Sequence, residues 1–466
     1  MRRARMIRQA SLRAGTVAAC IAVALTAVTG RCPGEEQPAA SPVLAETITL
    51  GEAMAHAINH NPQLAAAVAG VAGAEAAVSA ASASGRPTFT LQGGAQAQSP
   101  IQQINIQLPG FERSVAITTP ESARASLNVT WPLWTGGRVS AATAVSRAQA
   151  DAAEGDLQQA TEQLLYLVAA SYYGVLSAQQ RLAAADAGVT AAAETLRTVS
   201  RARSAGTATG ADVANAEAGL KRAEQEAVAA RNSLDNARAR LALHMGLGPA
   251  QSVSPISDAV DIKQPAGDDE AVEIALRTRP ELIALGYRID SARAAVELAR
   301  ADRNPTLAAV GAYQIQTPTD VQASHSEFIG VQFSWPVFSH PRSDANQRQA
   351  GAAVEQLSHT LNDLERTIAV QVAEARRALD DARASVAASE QASLAATQVH
   401  RRAQAAYAAG TLTRQELTGA EAALAEAQAR HQQALYGLSI AAVTYARALG
   451  VLRQTFLAPS EEASRP

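Results

Sequence analysis

In residues 126–138, SLNVTWPLWTGGR, Leu127, Val129, Trp131 and Leu133 alternate with Asn128 and Thr130, and the alternation stops at Thr135-Gly136-Gly137. Period two gives a strand one apolar and one polar face. From 138 to 205 the sequence is instead Ala-rich, of helical period and free of proline. Sixty-eight residues of helix span roughly 100 Å, and a periodic run so far beyond ~25 residues belongs to a coiled coil, a membrane span or a repeat array. A strand that opens straight into such a helix leaves few folds available, and this chain does it twice.

Trp335-Pro336-Val337-Phe338 lies 204 residues after Trp131-Pro132-Leu133-Trp134, and the same offset carries Ala205-Gly206-Thr207 to Ala409-Gly410-Thr411. A second offset, 218, joins Asn61-Pro62-Gln63-Leu64 to Arg279-Pro280-Glu281-Leu282. The difference places one length change between the two strands of each half, with a longer loop at 99–123 than at 318–326. Exposed loops tolerate insertions, so this is where a change is expected. Each half therefore reads helix, strand, strand, very long helix, helix. The predicted units are a first repeat at 46–250, a linker at 251–267, a second repeat at 268–450 and a tail at 451–466.

The four predicted strands, 87–98, 126–134, 305–317 and 328–338, carry no charged residue, although 18% of the chain is charged. All three tryptophans, Trp131, Trp134 and Trp335, fall in them, and with Phe338 they make a candidate aromatic girdle. Apolar-out, polar-in alternation with aromatic belts describes a transmembrane β-barrel. A soluble sheet would need bulky partners, and only 4% of the residues are aromatic. Four strands cannot close a barrel and open edges cannot face lipid. Several copies must share one wall, and since barrels begin at about 8 strands, two or three chains satisfy the rule.

In the long helices Val168, Val175, Leu182, Val189 and Leu196 recur every seven residues beside an alanine column, and Val372, Leu379 and Val386 repeat this at the 204 offset. Such columns make close-packed coiled-coil seams. Gly206 and Gly410 end the helices as left-handed caps. Thr209 with Asp212, and Thr413 with Glu416, have capping-box spacing. Asp212 and Glu416 thus read first as simple helix caps; the alternative is that symmetry gathers these acids into a ring at a tube mouth, and the two roles are compatible.

Arg2, Arg3, Arg5, Arg8 and Arg13 precede an apolar run at 14–28, the pattern of a secretory signal. Residues 1–45 are assigned to the signal peptide and a linker, with cleavage after Ala45. Cys32 raises lipidation as an alternative, but Arg31 occupies the place where a lipobox needs a small residue. Cleavage would remove six Arg and two Glu, leaving 34 basic and 41 acidic residues, a net charge near −7, which argues against a nucleic-acid partner. No His/Asp/Glu set has triad or metal-ligand spacing, so no enzyme, metal site or cofactor is expected. His56 and His60 share a helix face without a third ligand.

Taken in order and in duplicate, Asn61-Pro62-Gln63-Leu64, Trp131–Arg138, Ala205-Gly206-Thr207, Arg279-Pro280-Glu281-Leu282, Arg303-Asn304-Pro305-Thr306 and Ala409-Gly410-Thr411 resemble the TolC-type outer-membrane efflux proteins across essentially the whole mature chain. The resemblance implies a mainly α fold with a small β part. It implies a homotrimer with a shared 12-stranded barrel in outer-membrane lipid and a 12-helix periplasmic coiled-coil tunnel. It further implies a passive duct of a tripartite efflux or type I secretion system, opened by a periplasmic adaptor (membrane fusion protein) and driven by an inner-membrane pump. The adaptor would dock on the tip turns Gly206, Thr207, Thr209, Gly410, Thr411 and Thr413, and Asp212 and Glu416 are the gate candidates. Gly419 and Leu412 stand where the family can carry a second acid and a basic gate-bracing residue. A non-conducting trimeric stalk anchored in the outer membrane is the competing expectation.

Overall fold

The computed structural model describes residues 47–97, 99, 102–108, 111–248, 253–257, 267–317, 323–338 and 340–457. The signal segment with Cys32, most of the 251–267 linker and the end of the tail lie outside the described residues. In chain order the elements are β1 (Thr47–Ile48), α1 (Leu50–His60), α2 (Pro62–Ala83), β2 (Thr88–Ala97), β3 (Gln103–Leu108), β4 (Phe111–Ala116), β5 (Glu121–Trp134), α3 (Arg138–Ser204), α4 (Gly210–His244), β6 (Ser254–Pro255), α5 (Asp268–Thr278), α6 (Pro280–Ala301), β7 (Thr306–Gln316), β8 (His325–Ser334), α7 (His340–Ala408), α8 (Arg414–Leu449) and α9 (Leu452–Leu457). The chain is mostly helical with few strands.

Three sequence expectations are corrected. The single helix expected before each strand pair is two, broken at Asn61 and Arg279, whose ψ angles of 122° and 121° are extended. A residue preceding proline is driven out of the helical region, and proline then starts the next helix at no hydrogen-bond cost. The loop expected at 99–123 contains a hairpin, β3 paired with β4, and the start of β5. Finally, the strand expected at 126–134 begins at Glu121 and that at 328–338 runs from His325 to Ser334, so Glu121, Arg124, His325 and Glu327 belong to strands. Those charges sit at the strand ends far from the helices, where the pairing continues past the uncharged stretch.

β2, β5, β7 and β8 form one antiparallel sheet in that order, with β2 and β8 as free edges. Phe89, Leu91, Leu127, Val129, Ile329, Val331 and Phe333 share one face. Opposite them lie Thr88, Thr90, Gln92, Ser126, Asn128, Thr130 and Gln332. Pairing slips between Pro132 and Trp134, so that Trp131 faces Ala309 and Trp134 faces Leu307. This bulge brings two tryptophans three residues apart onto the same face, which strict period two forbids, and it accommodates a proline in a central strand.

The turn from β5 into α3 uses Gly136 and Gly137 at φ 62° and 91°. Asn304, just before β7, donates its side-chain amide to the Gly136 carbonyl at 2.6 Å, and Arg138 pairs with Asp302. The second half thereby locks the strand-to-helix switch of the first.

Helix ends are spliced in the same way in both halves. Asn61 caps α2 through Gln63 N–H at 2.8 Å and Leu64 N–H at 3.3 Å, while its amide donates to the His244 carbonyl at the end of α4 at 2.8 Å. In the second half Arg279 Nε donates to the Ala448 carbonyl of α8 at 2.7 Å, and Thr278 bonds the Leu449 carbonyl. Thus α4 abuts α2, and α8 abuts α6, end to end. Gly246, at φ 76°, makes the first junction possible: a Cβ there would overlap the His60 carbonyl oxygen and lie 2.7 Å from its carbon. Gly246→Ala is expected to destabilise by about 2–5 kcal/mol, combining left-handed strain with overpacking, read as a lowered urea midpoint; an unchanged midpoint would show that the junction is slack.

The packing order is α4–α3–α8–α7 toward the tips and α2–α3–α6–α7 toward the strands. α3 and α6 approach closely at Gly155, where a Cβ would come 2.8 Å from that of Ala284, and Arg288 clamps Asp156 through both carboxylate oxygens at 2.7 Å. The core lies midway along the long helices: Leu165, Val168, Tyr172, Tyr173 and Val175 of α3 meet Met54, Leu241 and Met245, and Ile368, Val372 and Leu379 of α7 join Tyr436 and Tyr445. The Tyr172 hydroxyl there lies 2.9 Å from the Ile48 carbonyl of β1 and accepts from the Ile256 N–H, just after β6, at 3.1 Å. Farther toward the tips Leu182, Val189, Leu196 and Val386 are half-buried, a thin seam between two helices rather than a core.

Candidate functional site

The chain presents three candidate working surfaces: the helical tips, the apolar face of the sheet and the junction in the middle. At the first tip Gly206 has φ 80°, and Thr207 N–H reaches the Ala202 carbonyl at 2.9 Å, closing the end of α3. At the second, Gly410 has φ 73° and Thr411 N–H reaches Ala406 at 2.9 Å. The Thr207 and Thr411 hydroxyls donate to the same two carbonyls. Each turn occupies the left-handed region that glycine enters without Cβ strain. Neither Gly206 nor Gly410 would crowd a neighbour with an added Cβ, so their requirement is conformational alone.

Both capping boxes are formed. Asp212 accepts from Thr209 N–H at 2.8 Å and from its hydroxyl at 2.7 Å, and Glu416 accepts from Thr413 N–H at 2.9 Å and hydroxyl at 2.8 Å. The hydrogen bonds from Thr209 hold the Asp212 carboxyl below the usual carboxylate range, the hydroxyl contributing most; for Glu416 the Thr413 backbone N–H contributes most. Both acids are fully exposed and ionised at neutral pH. They stand on separate hairpins, so the chain by itself does not gather them. Arg414 lies over the Tyr407 ring, 5.9 Å from its centroid, and so braces the second turn.

On the sheet, Trp131, Trp134 and Trp335 sit at the end nearest the helices, each about half exposed. Trp335 and Phe338 follow β8 rather than belong to it, and Phe338 is 94% exposed. Ile329 is 95% and Phe89 70% exposed. A contiguous bare face of this size marks contact with lipid or protein.

The junction was invisible in the residue pattern. Arg279 is buried, and besides Ala448 it holds Glu281 at 3.0 Å and Gln371 at 2.6 Å. With Glu162 and Arg447 these residues line a cavity of about 740 Å³. Burial raises the Glu162 carboxyl above the usual carboxylate range, against the opposing N–H groups of Arg453 and Leu452. The one available signal is that Arg279 stands at the position of Asn61 in the first half, a longer side chain with more donors. His56 and His60 stack at 4.1 Å between centroids, and His56 Nδ1 contacts the Met245 carbonyl at 3.1 Å.

The family description for outer membrane efflux proteins matches residues 53–247 and 271–451. Alkaline protease secretion protein AprF of Pseudomonas aeruginosa is 28% identical over 297 residues, 62% of this chain and 62% of that protein. Outer membrane efflux protein BepC of Brucella suis is 27% identical over 53% of this chain and 54% of its own length. The chain thus aligns with less than two thirds of either relative. In fold it is similar to the Campylobacter jejuni CmeC outer membrane channel, with a TM-score of 0.71 and 16% identity over 91% of this chain and 94% of that one. The duplicated strand-to-helix switch, the bare apolar sheet face and a match spanning both halves place the chain in the outer membrane efflux protein family.

Proposed function

We propose that three copies of this chain form a passive export duct, with a shared 12-stranded barrel in the outer membrane and a 12-helix tunnel below it. One observation carries this reading: the protomer is an open strip at every level, and always in the same order. Its sheet ends in β2 and β8, its strand-proximal helices in α2 and α7, and its tip helices in α4 and α7. Four elements per level make twelve in three copies. Two copies would make an eight-stranded barrel, whose interior side chains fill, so three is the smallest number that leaves a lumen. The edge helix α2 is long and apolar enough to cross a membrane, yet only 6% of its most apolar window is buried. Spliced to α4 and joined to β2, it belongs to the wall, and its Ala-rich surface suits a neighbour's α7. In this reading a periplasmic adaptor docks on the tip turns, an inner-membrane pump drives transport, and the duct carries no catalytic chemistry.

Planar bilayers test the proposal. The purified protein is expected to give discrete channels, and Asp212→Ala with Glu416→Ala to reduce cation preference by about twofold or more, as for acids ringing a pore. Unaltered ion preference would reduce both acids to helix caps. Absence of channels from a well-folded protein would support the non-conducting stalk instead.

A further inference from the structure

On the polar face of the four-stranded sheet, the inward positions of β2, β5, β7 and β8 are threonine, serine, glutamine, asparagine and apolar residues, with one charged exception. Arg124 follows the same alternation as Ser122, Ser126 and Asn128, and pairs across the strands with Gly94 and Gln316. The charges near it, Glu121 and Glu327, are at odd positions that share the opposite face with Leu127 and Ile329. Among the described residues no carboxylate pairs with Arg124. Its side chain instead lines a polar recess of about 380 Å³ with Gln92, Gln96, Ser122, Gln316 and Thr118, the last from the strap leading out of the β3–β4 hairpin. Arg124 is ten residues from Trp134, about 33 Å along the strand, so it stands at the end of the barrel far from the tunnel.

We propose that Arg124 forms an anion-binding ring at the outer end of the lumen, selective for multivalent phosphate- or carboxylate-bearing anions. The inference rests on the trimeric-duct reading. Twelve strands ~4.8 Å apart, tilted by about 40°, give a wall roughly 12 Å from the axis. An anion on the axis is then within about one Debye length, ~8–10 Å, of three inward-reaching guanidinium groups. Planar guanidinium takes phosphate or carboxylate oxygens through two parallel hydrogen bonds, and the amides and hydroxyls of the recess supply further donors. Such rings are the usual device of anion-conducting pores. The two ends of the duct would then carry opposite charge, acids at the tips and a cation ring at the exit.

The test is current block by inorganic tripolyphosphate, added to one chamber at a time with channel orientation fixed by insertion from one side. Block is expected from the barrel side in preference to the tip side. Arg124→Gln is expected to weaken it by about tenfold and to shift the KCl reversal potential toward cations, Arg124→Lys to retain much of it, and Arg124→Glu to abolish it. Unchanged conductance in these variants would confirm that the barrel is intact. If Arg124→Gln leaves both block and reversal potential as in the parent, the ring assignment is overturned while the duct stands. A parent protein that forms no channel overturns the duct reading and this one with it.

Discussion

Ile329→Arg is expected to prevent stable insertion, whereas Gln332→Arg, three residues along the same strand, is expected to be tolerated. Ile329 is the most exposed strand residue on the apolar face and sits in the middle of β8, opposite Gly311. Gln332 pairs with Ala308 on the polar face. An arginine facing lipid at the bilayer midplane costs about 2–4 kcal/mol per chain, and a shared barrel multiplies that by the number of copies. A lumen-facing arginine stays hydrated and costs little. Folding into vesicles, followed as the urea midpoint of the inserted form, measures both. Equal tolerance of the two variants would mean that the apolar face does not meet lipid, and the barrel would have to be abandoned.

Arg279→Ala is expected to lower stability by about 3 kcal/mol or more. The substitution leaves the Ala448 carbonyl, Gln371 and the partly buried Glu281 carboxylate without their common donor, the buried Arg279. Removing a donor shared by part-buried acceptors costs more than its net contribution, because the acceptors left behind, the Ala448 carbonyl above all, go unsatisfied. Gly450 lies against the same residue, and a Cβ there would approach Arg279 Cα to 3.0 Å. Arg279→Asn is expected to lose less, since Asn61 caps the equivalent helix start with its side-chain oxygen. Thermal and urea unfolding of the detergent-solubilised protein would read the difference. A loss under about 1 kcal/mol for Arg279→Ala, the range of an exposed pair, would show that water fills the junction.

Much of this architecture was legible in the residues. The switch from period two to helical period at Gly136-Gly137, the left-handed caps at Gly206 and Gly410 and the boxes Thr209–Asp212 and Thr413–Glu416 are local arrangements, decided within a few residues. The capping geometry appears as the spacing predicts. Strand limits are less legible because the uncharged stretch ends before the backbone pairing does. The strands continue past their uncharged stretches, and Glu121, Arg124, His325 and Glu327 occupy the ends far from the helices. The β3–β4 hairpin is hidden in the residues because its two six-residue strands lie within a stretch whose length alone suggests a loop.

The sequence by itself determined the period of every long element, the positions of the turns and the division of the strands into an apolar and a polar face. These follow from backbone geometry and from which side chains water rejects, both readable along one dimension. Tertiary packing alone selects which residues more than 90 positions apart share a junction: Asn61 with His244, Arg279 with Gln371 and Ala448, Asn304 with Gly136. It also decided the bulge that turns Trp131 and Trp134 to one side. Long-range hydrogen bonds and strand register are selected by the joint packing of whole helices and sheets, and no local spacing encodes that choice.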